Sequence, residues 1–262
     1  ITIQTELGGY KKQLAKTYLT DKEVTDRLVK EAYERLKKDV RVSHILINVP
    51  RGSDDTLSAL RKIDSLYNQL NAGADFASIA KAMSDDKQSG ANGGDVGFFT
   101  ALQFVYPFES AAYATSLGTI SKPFRSIYGY HILKKTQERP ARGEIQVAQV
   151  MINVQKSLGQ EGLAQSKKKM DSVVAMQKAG VKFETLVSKF SEDKFSKNNE
   201  GVLTTFSVGQ MVPEFEDAAF ALKNPGDISA PILTDYGYQL IKLMKKVTLR
   251  SFVSMKTEIT SR

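Results

Sequence analysis

The feature that most constrains this chain is that it is written twice. "IYGYHILKK" at Ile127–Lys135 returns as "DYGYQLIKL" at Asp235–Leu243, and "VRVSHILINV" at Val40–Val49 returns as "IQVAQVMINV" at Ile145–Val154. Between these lie "ADFASIAKAMSDDKQS" against "VKFETLVSKFSEDKFS", and "LQFVYPFESAAYATSLGTIS" against "VGQMVPEFEDAAFALKNPGDIS". His44 maps to Gln149 at an offset of 105, Asp86 to Asp193 and Phe99 to Phe206 at 107, and His131 to Gln239 at 108. A drift of three residues over a whole domain means a tandem duplication with small loop insertions, not a short-period solenoid.

Each copy has the same order of local signals. A β-branched, alternating segment opens it. "DTLSALRKIDSLYNQLNAG" follows, with Leu57, Leu60, Ile63, Tyr67 and Leu70 on one helical face and Gly73 as its C-terminal stop. A second short helix, the glycine-rich turn "SGANGGDVGFF", a third helix after Pro107 and two short strands complete the unit. The expected fold class is α+β: two units, each a small antiparallel or mixed sheet with helices around it. The expected domains are a helical segment over 1–40, units over 41–137 and 145–246, and a helical segment over 247–262. "ERPARGE" at Glu138–Glu144 reads as the linker. In the first segment Thr20 and Glu23 form a capping-box pattern, and Val24, Leu28, Ala32 and Leu36 form the expected apolar stripe. The start at Ile1 reads as an excised piece of a larger protein.

The chain has no cysteine, which excludes disulfides, thiolate nucleophiles and cysteine-based zinc sites. No apolar run is long enough to span a bilayer, so no membrane insertion is expected. The net charge of +8 could suit nucleic acid, but the lysines are scattered with few aromatics among them, which fits a solvated surface better. No nucleic-acid partner is expected.

The two histidines, His44 and His131, stand on the opening and closing strands of the first unit. Neighbouring strands would bring both imidazoles together, with a carboxylate from Asp85 or Asp86 near them. Two histidines without an HExxH or His-x-His spacing are weak evidence for a metal. Ser84–Lys87 matches the S-x-x-K motif of some serine hydrolases, but the companion motifs are absent. "GANGGDVG" lacks the Gly-Lys-Ser/Thr ending of a phosphate loop.

The motifs "SHILI", "ADFASIAKAMSDD", "NGGDVGFF", "PFESAAYA" and "YGYHILK" resemble those of parvulin-type peptidyl-prolyl cis-trans isomerases, and the second copy carries a degenerate set. A helical segment followed by two such units also resembles a family of periplasmic folding factors. The resemblance implies roles residue by residue. His44, Asp86, Ser126 and His131 match the polar, catalytic floor; Val96, Phe104 and Phe108 match the apolar wall that grips proline, with Phe99 behind it. Phe104 stands where methionine is commoner. In the second unit Gln149, Asp193 and Gln239 replace the floor, while Leu203, Phe206, Met211 and Phe215 keep the apolar character. Glutamine donates and accepts hydrogen bonds but does not titrate near neutral pH.

The resemblance thus implies isomerisation of X–Pro bonds in unfolded or partly folded polypeptides, outer-membrane protein precursors among them. It also implies a periplasmic location and no cofactor. Catalysis is expected in the first unit and client binding in the second. The alternative is an ATP-independent holdase in which catalysis is vestigial. "INVPRGSDD" offers Arg51 as its only cation, with Asp54 and Asp55 beside it, so no preference for phosphorylated Ser/Thr-Pro is expected.

Overall fold

The computed structural model describes residues 22–50 and 56–261. Thr20 of the capping box and Arg51, Asp54 and Asp55 lie outside the described residues. The chain divides into two compact units, Ile1–Ala141 with Arg250–Arg262, and Arg142–Leu249.

In the first unit a helix over 22–35 (α1) leads into strand β1 (Lys38–Asn48), helices α2 (Leu57–Asn71), α3 (Phe76–Met83) and α4 (Lys87–Ala91), strand β2 (Asp95–Phe99), helix α5 (Tyr106–Ala114), and strands β3 (Phe124–Ser126) and β4 (Gly129–Pro140). The sheet order is β2-β1-β4-β3, and every pair is antiparallel. The second unit repeats it. Strand β5 (Glu144–Ile152), helices α6 (Gly159–Lys178) and α7 (Phe183–Phe190), strand β6 (Phe206–Ser207), helix α8 (Pro213–Ala221), and strands β7 (Ile232–Thr234) and β8 (Gly237–Val247) give the order β6-β5-β8-β7. This is the expected α+β class, with both sheets wholly antiparallel.

Each sheet is covered on both faces. Ile45, Ile47, Val49 and Ile132 pack with Ala59, Ile63, Leu66 and Leu70 of α2 and Phe76 and Ala80 of α3. On the opposite face Val40, Val42, Phe99 and Leu133 pack with Phe108 and Ala112 of α5. Two matching clusters build the second unit. Burying each large apolar side chain contributes about 1.5–3 kcal/mol, so both faces are needed to hold so small a sheet.

The shared Tyr-Gly-Tyr has a steric origin. Gly129 sits at φ +143° and Gly237 at φ +132°. A Cβ there would lie 2.2 Å from the Ile47 or Ile152 carbonyl oxygen on the neighbouring strand. Only glycine allows β4 and β8 to begin so close to their partners.

Four expectations need correction. The linker is shorter than expected: Glu138–Pro140 continue β4, paired with Lys38–Val40 of β1, because charged residues serve an exposed strand end as well as a loop. The stripe on α1 is displaced, since Val24 and Leu28 are exposed while Val29 is buried. The face of α2 is likewise rotated: Leu57 is 60% exposed, and Ala59 and Leu66 take its place in the core. In both helices apolar residues occur on more than one face, and tertiary packing selects which is buried. The glycine turn of the second unit also keeps more than its letters suggest. Gly201 accepts from the Gln149 N–H at 2.9 Å, as Gly94 does from His44 at 2.8 Å. What the second copy has shortened is the strand after it, from five residues in β2 to two in β6.

The last described helix, α9 (Phe252–Thr260), belongs to the first unit. The Tyr33 hydroxyl of α1 donates to the Arg250 carbonyl at 3.0 Å, and the Tyr33 and Phe252 rings meet edge to face at 5.3 Å. Lys256 pairs with Asp26 at 2.7 Å.

Candidate active site

β1 and β4 are adjacent, with His44 opposite Leu133 and Leu46 opposite His131. The two histidines are therefore diagonal neighbours on one face of the sheet, within reach of long side chains. Their rings lie 19° from parallel with centroids 5.8 Å apart. Both side chains are buried.

The turn between α3 and α4 supplies the carboxylate. Asp86 caps α4 by accepting from the Gln88 and Ser89 N–H groups through Oδ1. Its other oxygen, Oδ2, meets His44 Nε2 at 2.8 Å and accepts from the Ser89 hydroxyl at 2.5 Å. Ser89 Oγ is also 3.0 Å from His44 Nε2. Burial pushes the His44 pKa below its ordinary value, and the opposing pull of Asp86 does not restore it. Burial likewise pushes His131 down, to about 4, helped by His44 beside it. Both rings are neutral near pH 7. A carboxylate only accepts, so His44 carries its proton on Nε2 and its Nδ1 is bare. Burial pushes Asp86 up, but the bonds from Ser89 and His44 outweigh it and hold the carboxyl below the usual range.

β3 supplies the fourth polar group. Ser126 Oγ is 2.7 Å from His131 Nε2 and accepts from the Tyr128 N–H at 3.0 Å. Among the described residues, His44 Nδ1 and His131 Nδ1 are the buried side-chain nitrogens and oxygens with no hydrogen-bond partner.

Above this floor opens a cleft of about 290 Å³, lined by His44, Asp86, His131, Val96, Phe104 and Phe108, and also by Leu46, Gln103, Val105 and Tyr128. Phe99 is not part of the lining. It is 1% exposed and packs edge to face on Phe104 at 4.7 Å. Phe104 stacks on Phe108 at 4.9 Å, and Phe108 meets the His44 ring edge to face at 5.3 Å. The wall is thus one aromatic stack resting on the histidine pair.

Two positions escaped the sequence reading. Ser89 was visible as the serine that both "SDDKQS" and "SEDKFS" keep three residues after the aspartate. Glu109 gave the same kind of signal, since "PFESAAYA" and "PEFEDAAFA" both keep a glutamate directly after the phenylalanine. It is buried on α5, and its Oε1 accepts from the Gln103 and Phe104 N–H groups at 2.8 and 2.9 Å, which sets the backbone beneath Phe104.

The second unit carries the same floor in amides. Gln149 Nε2 donates to Asp193 Oδ2 at 2.9 Å, Gln239 Nε2 donates to Gln149 Oε1 at 3.0 Å, and the Thr234 hydroxyl donates to Gln239 Oε1 at 3.0 Å. Ser196 donates to Asp193 Oδ2 as well. The carboxylate can only accept, so it orients every amide along the chain. Phe206, Met211, Leu203 and Phe215 share one apolar cluster beside it.

No group of three or more His, Cys, Asp or Glu side chains among the described residues could hold a metal ion. No described helix is long and apolar enough to cross a membrane.

Comparison with known proteins agrees with this geometry. The family model of the PPIC-type PPIase domain matches twice, over residues 27–139 and 150–245. The chaperone SurA of Chromohalobacter salexigens is 31% identical over 234 residues, covering 86% of this chain and 52% of its own length. The foldase protein PrsA of a Geobacillus strain is 37% identical over 123 residues, covering 47% of this chain and 41% of its own. Among solved structures, the peptidylprolyl isomerase PrsA of Bacillus anthracis is 36% identical, covering 45% of this chain and 48% of its own, with a TM-score of 0.36. The chain spans about half the length of the SurA relatives it matches. With two matches in series and one four-stranded unit built twice, the chain belongs to the PPIC-type peptidyl-prolyl isomerase family as a tandem of parvulin-type domains.

Proposed function

We propose that the first unit isomerises X–Pro bonds in unfolded polypeptides and that the second binds client segments without turnover. The observation that carries this is the neutral His44–His131 pair lying beneath the Phe104–Phe108 cleft. Rotation about an X–Pro bond crosses a barrier of about 18–20 kcal/mol without breaking any bond. A catalyst need only favour the twisted amide over its planar forms. Twisting removes resonance, so the carbonyl becomes more ketone-like and the nitrogen more basic. The aromatic wall holds the prolyl ring and excludes water, and the fixed dipoles of the floor act in that dry setting. Neither a nucleophile nor a cofactor enters the reaction.

Amides locked in one direction by Asp193 keep the second floor polar without its titratable imidazoles. Met211 in place of Phe104 gives that unit a softer wall, suited to varied apolar side chains. This supports client binding there. The names of the relatives, a chaperone and a foldase, support clients that are folding proteins; that these fold in the periplasm, outer-membrane precursors among them, is carried by the motif resemblance alone. With Arg51 as the only cation of its segment, phosphorylated Ser-Pro peptides gain nothing over unmodified ones.

The test is prolyl isomerisation of a short Pro peptide by the wild type and by His131→Ala. Turnover lost in the variant supports catalysis. Equal rates in both overturn it and leave the holdase reading, which predicts suppression of aggregation without turnover.

A further inference from the structure

We propose that Ser89 is a positioning residue of the first site: its hydroxyl pins the Asp86 oxygen that receives the His44 Nε2 proton, and so holds His44 in one tautomer. The inference rests on the isomerase reading for its kinetic arm alone. Three groups meet at one point. Asp86 Oδ2 lies 2.8 Å from His44 Nε2 and 2.5 Å from Ser89 Oγ, and Ser89 Oγ lies 3.0 Å from His44 Nε2. Ser89 is buried, so no bulk water competes for these bonds. Its backbone N–H also reaches Asp86 Oδ1 at 3.4 Å. The residue therefore holds both carboxylate oxygens, and the hydroxyl governs the one that faces the histidine.

An aspartate held only by backbone N–H groups at Oδ1 can rotate its other oxygen away from the ring. His44 then loses the acceptor that keeps its proton on Nε2, and the bare Nδ1 next to His131 is no longer assured. The second unit supplies an independent case. Ser196, also buried, donates to Asp193 Oδ2, and the donor arriving from β5 at that oxygen is Gln149 Nε2. The serine thus accompanies the aspartate in both copies, whether the partner is an imidazole or an amide. Its constant task is to aim the carboxylate at the neighbouring strand.

The experiment uses long-range ¹H–¹⁵N spectra of the His44 ring together with isomerisation kinetics, in wild type, Ser89→Ala and Ser89→Cys. Ser121→Ala is the stability control, since it removes a buried hydroxyl from the same unit that accepts from the Leu133 N–H instead. Wild type is expected to show the Nε2–H tautomer. In Ser89→Ala the ring nitrogens move towards tautomer averaging, and kcat falls about tenfold with KM little changed. Ser89→Cys, a weaker donor, falls between. A Ser89→Ala protein that keeps the wild-type ring signals overturns the proposal, as does an equal loss of kcat in Ser121→Ala. If Ser89→Ala does not fold, Ser89→Cys decides by the same signals. Absence of turnover in wild type would refute the isomerase reading and leave the ring signals to judge Ser89.

Discussion

His44 and His131 face each other across β1 and β4 with a buried, unpartnered Nδ1 on each ring, whereas Gln149 and Gln239 at the matching positions are joined by a 3.0 Å hydrogen bond. The second copy closes with an amide–amide hydrogen bond the gap that the first leaves between two imidazoles. Its floor is one continuous chain of hydrogen bonds, while in the first unit the two imidazoles are held separately, His44 by Asp86 and Ser89 and His131 by Ser126.

The double variant His44→Gln/His131→Gln should therefore fold, because Asp86 and Ser126 can orient the amides as Asp193 and Thr234 do. Its kcat/KM for a Pro peptide should fall about 100-fold, the lower end of the range general acid–base groups contribute. Unaltered turnover in the folded variant would show that the imidazoles serve only as hydrogen-bonded filler.

Acid should loosen the first unit before the second. The folded pKa of His131, about 4, lies below its ordinary value of 6.5, so the unfolded chain binds more protons between those pH values. Its contribution is intact above pH 6.5 and declines as pH falls towards 4, by about 3 kcal/mol in all. His44, also depressed, acts in the same direction. Hydrogen exchange of the β4 amides, corrected for intrinsic rates, should show protection declining across this window. His131→Gln should flatten the decline, and an equally steep one would refute the assignment.

The two aromatic wall residues should separate binding from stability. Phe108 is 3% exposed, and Phe108→Ala should cost about 3–5 kcal/mol as well as turnover. Phe104 is 41% exposed, so Phe104→Ala should cost under about 1 kcal/mol while raising KM several-fold. Thermal unfolding and steady-state kinetics on both variants make the comparison. A large stability loss at Phe104 would place it in the core rather than the wall.

Glu109 should act through the backbone of the cleft. Glu109→Gln keeps an acceptor for the Gln103 and Phe104 N–H groups, so its melting temperature should stay near wild type. Glu109→Ala removes that acceptor and should cost about 1–3 kcal/mol, with a raised KM as Phe104 shifts. Equal effects of the two variants would mean that charge, not geometry, matters at this position.

Much of the fold was legible because duplication and strand alternation are written along one dimension. The paired Tyr-Gly-Tyr sequences, the offsets near 107 and the joint replacement of His44 and His131 need no coordinates to be seen. They determined two α+β units, one with imidazoles and one with amides. What they left open depended on contacts between residues far apart in the chain. Val24 and Leu57 satisfy a helical period, yet Val29 and Ala59 are the ones buried, because a helix bearing apolar residues on several faces is oriented by what packs against it. Ser89 lies on a five-residue helix, too short to show any period, and acquires its place only when α4 docks beside β1. The diagonal of His44 and His131 was decided in the same way, by the register of β1 against β4, since a shift of one residue would turn one imidazole to the opposite face of the sheet.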